Sequence, residues 1–283
     1  MNRRERPEHV LPPDLYYNED EAAKYTANSH IISIQTDMSE RALELLALPA
    51  EKQCMLLDLG CGSGISGCVL SNAGHTWIGL DISKPMLMLC REDEDFDGDV
   101  IHKDMGTGLP FRPGAFDGCI SISALQWLCH ANSSDQKPAK RLSRFFQSLY
   151  GCLGRGTRAV FQFYPEDDRQ TEMIMSLAQK AGFDGGLVVD FPHSSKAKKV
   201  YLVLMTGGMQ AMPKALTGDE EVDQVNRQQV DVVGRREFVV HRKKKRAAKG
   251  SKAWIQKKVE TAKKHGNNFT DSKFSGRKRK PRF

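Results

Sequence analysis

Met55-Leu56-Leu57-Asp58-Leu59-Gly60-Cys61-Gly62-Ser63-Gly64 is an apolar run that ends in an acid and a glycine-rich turn. The run is short and closed by glycines, so it reads as a buried strand feeding a helix. The glycines let the backbone turn sharply and let a ligand come close to it. A helix from Ile65 to Ala73 would aim its free N–H groups at whatever sits in the turn.

Two ligand classes use such a turn. Gly62-Ser63-Gly64-Ile65-Ser66-Gly67 matches the GxGxxG dinucleotide pattern, with Asp81 near the spacing of a ribose-binding acid. Asp58 argues against a dinucleotide, because a carboxylate at the mouth of the turn repels a pyrophosphate. S-adenosylmethionine carries an ammonium, a sulfonium and one carboxylate, and no phosphate. An acid before the turn suits the cations, and the helix N-terminus suits the carboxylate. The run Asp58 to Gly64 resembles the first motif of the class I methyltransferases. A tight turn with no ligand is the alternative.

Further along, His75 to Leu80 reads as a second strand with Asp81 at its end, placed to accept from two ribose hydroxyls. Asp81 as an N-cap for a helix starting near Ser83 is the competing reading. Pro85 to Leu89 reads as a buried helix face. Asp99 to Met105 reads as a third strand and its exit, with Asp104 placed to meet an adenine or else serving as a surface turn acid. Ala115 to Ser123 is a fourth strand. Trp127 follows at the mouth, either stacking on a base or simply core. A helix over Pro138 to Leu153, ended by Gly154-Arg155-Gly156, precedes a strand over Thr157 to Tyr164. A helix over Asp168 to Ala181 and strands at Leu187 to Phe191 and Val200 to Met205 complete the pattern. Strands and helices alternate through the first five strands and two strands finish the domain, which predicts an α/β doubly wound sheet.

Before the glycine turn, the first fifteen residues are charged and Pro-containing and are expected to be loosely ordered. Helical segments are expected at Tyr16 to Tyr25, Asn28 to Gln35 and Ser39 to Leu48, with Pro49 as the stop. The predicted layout is helical segments over residues 1–50 covering the cofactor site, a methyltransferase domain over 51–208, a polar acidic linker over 209–233 and a basic tail over 234–283.

The 283 residues hold a net charge of +7, but it is unevenly placed. Gly234 to Phe283 carries 19 Lys/Arg against 3 Asp/Glu, leaving 23 against 32 in the rest. An acidic body with a basic tail points to a polyanionic partner. The clusters Arg242-Lys243-Lys244-Lys245-Arg246 and Arg277-Lys278-Arg279-Lys280 flank Trp254, Phe269 and Phe274, a mixture suited to RNA and to nuclear import. No apolar stretch approaches a membrane span, and no signal peptide is expected. The seven cysteines form no CxxC pair, so reduced core thiols and no metal site are expected.

Several blocks together resemble the eukaryotic small-subunit (18S) ribosomal RNA (guanine-N7)-methyltransferases. They are Arg6-Pro7-Glu8-His9, Ala23-Lys24-Tyr25, Asp58 to Gly64, Gly79 to Ser83, Phe116 to Ala124, Gln126-Trp127-Leu128, Val189 to Pro192, Ala197-Lys198-Lys199 and Gly276 to Phe283. The resemblance implies an α/β Rossmann-like class I methyltransferase fold, with a mostly parallel seven-stranded sheet and helices on both faces, and S-adenosylmethionine as cofactor. It also implies methylation of one guanine during ribosome biogenesis, a role in pre-40S assembly or export, and a nuclear location with cytoplasm as a second possibility. It implies a small zinc-binding activator subunit as heterodimer partner; an apolar edge of the sheet is the expected docking place. The expected cofactor set is Asp58, Gly60, Gly62, Gly64, Asp81, Ile82, Asp104, Met105 and Ser121, with Tyr25 and Trp127 positioning the substrate.

Guanine N7 has a free lone pair and loses no proton on attack, so no catalytic base is expected. The Asn-Pro-Pro-Tyr run of amine-methylating relatives is absent. Cys61 or Cys119 as a nucleophile for carbon methylation would be a different mechanism, and both read as buried. A small-molecule methyltransferase and a cofactor-holding assembly factor are the competing functions. The basic tail disfavours the first.

Overall fold

The computed structural model describes residues 6–50, 52–94, 96–131, 136–194, 196–208, 210–218 and 223. The basic tail and most of the expected linker lie outside the described residues.

Strands β1 (Met55–Leu59), β2 (Thr76–Asp81), β3 (Asp99–His102), β4 (Phe116–Ile122), β5 (Leu153–Phe163), β6 (Asp184–Asp190) and β7 (Lys199–Met205) form one sheet. Its order is β3-β2-β1-β4-β5-β7-β6. Neighbours from β3 to β5 are parallel, and β7 runs antiparallel to both β5 and β6. The order reverses beside β1, whose neighbours are β2 and β4. In such sheets ligands bind beyond the carboxyl ends of the strands at that reversal.

The helices are α1 (Pro7–Val10), α2 (Pro13–Tyr16), α3 (Glu19–Ala27), α4 (Ser29–Leu46), α5 (Ile65–Asn72), α6 (Lys84–Glu92), α7 (Pro138–Cys152) and α8 (Asp168–Lys180). Strand side chains alternate, and so fill two cores. Leu57, Leu59, Phe161 and Phe163 meet Phe145 and Phe146 of α7 and Ile174 of α8. Leu56, Ile120, Val160 and Val203 meet Leu45 of α4, Leu70 of α5 and Leu87 of α6. Each such buried side chain stabilises the fold by roughly 1.5–3 kcal/mol. The expected doubly covered sheet is the one observed.

Local expectations differ from the structure in several places. Residues 6–16 are not loose. Pro7 and Pro13 start two helical turns, and Arg6 donates to the carbonyls of Tyr164 (3.0 Å) and Pro165 (3.2 Å). The helix expected over Tyr16 to Tyr25 starts later, at Glu19, capped by the Asn18 side chain, and Tyr16 ends α2 instead. The two helices expected before Pro49 are one. The Thr36 and Ser39 hydroxyls bond back to the carbonyls of Ile32 (2.8 Å) and Gln35 (2.7 Å) within α4. That helix stops at Leu46, where Ala47 turns left-handed (φ 48°), before Pro49 is reached. Finally, β5 begins at Leu153 directly after α7, because Leu153 pairs with Phe116 at a register shift.

The start of the expected linker packs onto the domain. Leu216 is 3% exposed, and Arg158 donates to Gln210 Oε1 and the Ala211 carbonyl, both at 3.1 Å. A buried Arg41–Asp190 pair (2.8 Å) anchors the strap, Arg41 also donating to the Lys214 carbonyl. Polar composition hid this, because a few anchoring contacts suffice to fix a short segment.

Candidate active site

The turn after β1 has three glycines in the left-handed region: Gly60 (φ 72°), Gly62 (φ 52°) and Gly64 (φ 85°). Gly60 is also a close approach. A Cβ there would lie 2.3 Å from the Ala124 Cβ, inside any permitted contact. The turn is fixed by β2: Gly60 and Cys61 donate N–H to the Leu80 carbonyl (2.7 and 3.1 Å). The Gly62 N–H donates to Asp81 Oδ2 (2.8 Å), and the Ser83 N–H to Asp81 Oδ1 (2.7 Å). Asp81 therefore does not cap the next helix. Ser83 does, its Oγ accepting from the Met86 N–H. Burial raises the Asp81 pKa, while the N–H donors of Ser83, Gly62 and Ile82 oppose the rise.

Asp58 is fully buried beneath the turn. Its Oδ2 accepts from Ser66 Oγ (2.6 Å), and its Oδ1 has no partner among the described residues. Burial pushes its pKa up to about 7, the Ser66 bond opposing and Asp81 reinforcing the rise. Ser63 Oγ in the same turn is a second buried, unpartnered atom. An unsatisfied acid and hydroxyl beside a glycine turn fit a ligand that brings a cation and further polar groups.

Asp104 caps a 3-10 turn over Met105–Thr107, accepting from the Gly106 N–H (2.8 Å). Arg141 of α7 grips both of its oxygens through Nη2 at 2.9 and 3.0 Å. Sequence reasoning missed Arg141. The available signal was its place one turn before Phe145 on the buried face of α7, where a cation needs a partner.

The roof is aromatic. Tyr17 lies 5.9 Å from Tyr25 and 5.8 Å from Trp127, and Tyr16 lies 6.0 Å from Trp127, centroid to centroid. The Tyr17 carbonyl accepts from Ser83 Oγ (2.8 Å), which ties the roof to the start of α6. Burial raises both the Tyr17 and Tyr25 phenols, so neither ionises at neutral pH. Ser123, left-handed at φ 58°, joins Gln35 to Gln162 behind the roof.

These parts line a partly open cavity at the carboxyl ends of β1, β2 and β4, where a sheet of this order takes its ligand. Of the expected residues, Gly60, Gly62, Asp81, Ile82, Asp104, Met105, Tyr25 and Trp127 line it. Asp58, Gly64 and Ser121 do not reach the wall. Ser121 Oγ instead donates to the Leu59 carbonyl (2.7 Å), and Gly64 starts α5. Pro13, Tyr17, Gln35, Lys103 and Ser123 line it without having been expected. Burial drives the Cys61 and Cys119 thiols well above their ordinary range, which removes both as nucleophiles. The expected RNA-binding clusters at 242–246 and 277–280 lie outside the described residues.

Residues 57–161 match the family described as a methyltransferase domain, and residues 204–281 the family described as a methyltransferase involved in Williams-Beuren syndrome. The chain is 50% identical over 284 residues to the 18S rRNA (guanine-N(7))-methyltransferase of Mus musculus, covering 100% of this chain and 99% of that one. It is 45% identical over 282 residues to the 18S rRNA (guanine(1575)-N(7))-methyltransferase of Saccharomyces cerevisiae, covering 98% and 99%. Among solved structures, magnesium protoporphyrin IX methyltransferase of Synechocystis with bound SAM matches at TM-score 0.51 and 15% identity, over 73% of this chain and 100% of that chain. Phosphoethanolamine N-methyltransferase 2 of Haemonchus contortus in complex with S-adenosyl-L-methionine matches at 0.52 and 15%, over 72% and 60%. At such identity the likeness is one of fold. Identity near one half from end to end is a different matter: with the glycine turn and its three acids in place, this chain belongs to the 18S rRNA (guanine-N7)-methyltransferase family and is a methyltransferase.

Proposed function

We propose that this chain methylates N7 of a guanine in 18S ribosomal RNA, by in-line transfer that needs no general base. S-adenosylmethionine supplies the electrophilic methyl. Asp58 acts on the ammonium through its charge from beneath the turn, Asp81 takes the ribose hydroxyls, and Asp104 with Ile82 and Met105 takes the adenine. Gly60, Gly62 and Gly64 shape the turn, and Ser121 holds β4 against β1 through the Leu59 carbonyl. Tyr25 and Trp127 position the base. The observation that carries the reading is the roof. Aromatic rings face the cavity, Tyr17 and Tyr25 stay protonated, and Asp81 and Asp104 are already held by N–H and guanidinium donors. Such a mouth can hold and desolvate a planar base, and an N7 nucleophile, having no proton to lose, needs no more from it.

The basic tail supplies contact with pre-ribosomal RNA and nuclear entry, and the chain takes part in pre-40S assembly and export. A small zinc-binding activator docks along β3. That strand ends the sheet, and Met88 on the adjacent α6 is exposed, whereas the strap over residues 210–218 packs beside the other edge strand, β6.

The test is borohydride-cleavage mapping of N7-methylguanine in small-subunit rRNA with and without the protein. One site should vanish on depletion and return with the intact chain but not with Asp81→Ala. An unchanged map would move the reading to a small-molecule substrate or a purely assembly role.

A further inference from the structure

Outside the cavity, three side chains from distant parts of the sequence converge. They are His9 at the end of α1, His130 just after the turn that carries Trp127, and Glu166 just after β5. One potential ligand atom from each lies within 4.8 Å of the others. His9 Nε2 is 3.4 Å from Glu166 Oε1, and His130 Nε2 is 3.9 Å from Glu166 Oε2. Ligand atoms around a tetrahedral zinc ion stand about 3.3 Å apart, given bonds of about 2.0–2.2 Å. Small rotamer adjustments would close the cluster to that geometry.

Two features point to a ligand rather than a bare ion pair. His130 Nε2 is shielded from solvent yet makes no hydrogen bond among the described residues. An unpartnered ring nitrogen aimed at a carboxylate is a cost that a bound cation removes. The backbones of all three residues are also held independently of the cluster. The His9 N–H donates to the Arg6 carbonyl, and Arg6 in turn donates to the carbonyls of Tyr164 and Pro165. The His130 carbonyl accepts from Arg141 Nη1 (3.5 Å), and the Glu166 N–H donates to Gln170 Oε1 (2.9 Å). The neighbouring Arg6 charge is met by Glu8 at 3.6 Å, which limits repulsion of a cation. Two imidazoles and one carboxylate select a borderline ion such as zinc over magnesium or calcium, which prefer all-oxygen sites.

We propose that His9, His130 and Glu166 bind one divalent transition-metal ion of the zinc class, which clasps the N-terminal segment to the rim of the cavity. The fourth position is left to water. The role is structural. The segment held down leads through α2 to Tyr17, whose ring forms the roof, so occupancy of the clasp fixes the roof. The site rests on these residues alone and stands whether or not the substrate is rRNA.

The test uses the full chain, stripped with a chelator and titrated with Co²⁺ and then Zn²⁺. The expected result is one Co²⁺ per chain with visible tetrahedral bands, displaced by one Zn²⁺. His9→Ala, His130→Ala and Glu166→Gln should each weaken binding at least tenfold, while a His241→Ala/His265→Ala control should leave it unchanged. Zinc should also slow hydrogen exchange in residues 6–17 of the intact chain but not of His130→Ala. Circular dichroism and a single cooperative urea transition show that each variant is folded, and Glu166→Gln keeps the shape of the native side chain should a histidine variant fail. Absence of saturable binding, or binding equal in the intact chain and all three variants, would overturn the proposal.

Discussion

The Gly62 N–H donates to Asp81 Oδ2 at 2.8 Å, so the acid that ends β2 also holds the turn that follows β1. The other Asp81 oxygen accepts from Ser83 at 2.7 Å, at the start of α6. One carboxylate thus braces both walls of the cavity before any ligand arrives. Asp81→Ala removes two charge-assisted acceptors, each worth about 1.5–3 kcal/mol, together with the proposed ribose contact. S-adenosylmethionine affinity measured by calorimetry should fall at least about 100-fold. Asp81→Asn retains one acceptor oxygen and should fall less. Equal losses in the two variants would mean that charge, and not the bracing of the turn, is what matters.

Asp58 predicts two pH effects of opposite sign. Burial lifts its pKa to about 7 in the fold, above the unfolded value of about 3.9. Its contribution to stability is therefore fully present below the unfolded value and is lost as pH rises through about 7. The cofactor-free chain should gain stability through this group as pH drops from about 8 to about 6. Cofactor binding runs the other way, because an ammonium favours the ionised acid. Affinity should drop up to about tenfold per pH unit below 7. Denaturant titrations and calorimetry across that range, each repeated with Asp58→Asn, isolate the group, since the variant should flatten both slopes.

Gly60 and Gly74 separate two reasons for a glycine. Both are left-handed, at φ 72° and 89°, but a Cβ at Gly60 meets Ala124 at 2.3 Å while one at Gly74 meets nothing within 4 Å. Gly74→Ala should cost only the backbone penalty, about 1–2 kcal/mol. Gly60→Ala adds an overpacking cost of about 1–3 kcal/mol. Urea unfolding of the two variants gives the difference. Equal costs would show that the turn relaxes away from Ala124.

The sheet was legible because its strands are apolar runs closed by acids and glycines, a pattern that burial on both faces requires. Asp81 and Asp104 were legible for the same reason: each stands where a parallel strand ends, and the fold sends all such ends to one rim. Tyr17 was not. It sits in a charged, Pro-containing segment whose order comes from long-range contacts, such as Arg6 to the Tyr164 carbonyl, that leave no local periodicity. Arg141 was hidden in the same way, its partner Asp104 lying 37 residues earlier. The single helix α4 escaped because Thr36 and Asp37 interrupt the apolar pattern, while in the fold the Thr36 and Ser39 hydroxyls bond within the helix.

Tyr17 also tests the chemistry. Its carbonyl is fixed by Ser83, so the backbone stays in place when the side chain changes. The ring faces Trp127 at 5.8 Å, and burial keeps the phenol protonated. If the ring contributes by packing on the base, worth about 1–3 kcal/mol, Tyr17→Ala should lower kcat/KM for RNA about 5- to 150-fold. Tyr17→Phe keeps the ring and should stay within about twofold of the intact chain, with an unchanged pH profile. A large loss in Tyr17→Phe would assign the hydroxyl a proton-transfer or hydrogen-bonding part. Only a loss that also reshapes the pH profile would count against transfer to N7 without a general base; a pH-independent loss would mean that the hydroxyl donates a hydrogen bond to the base.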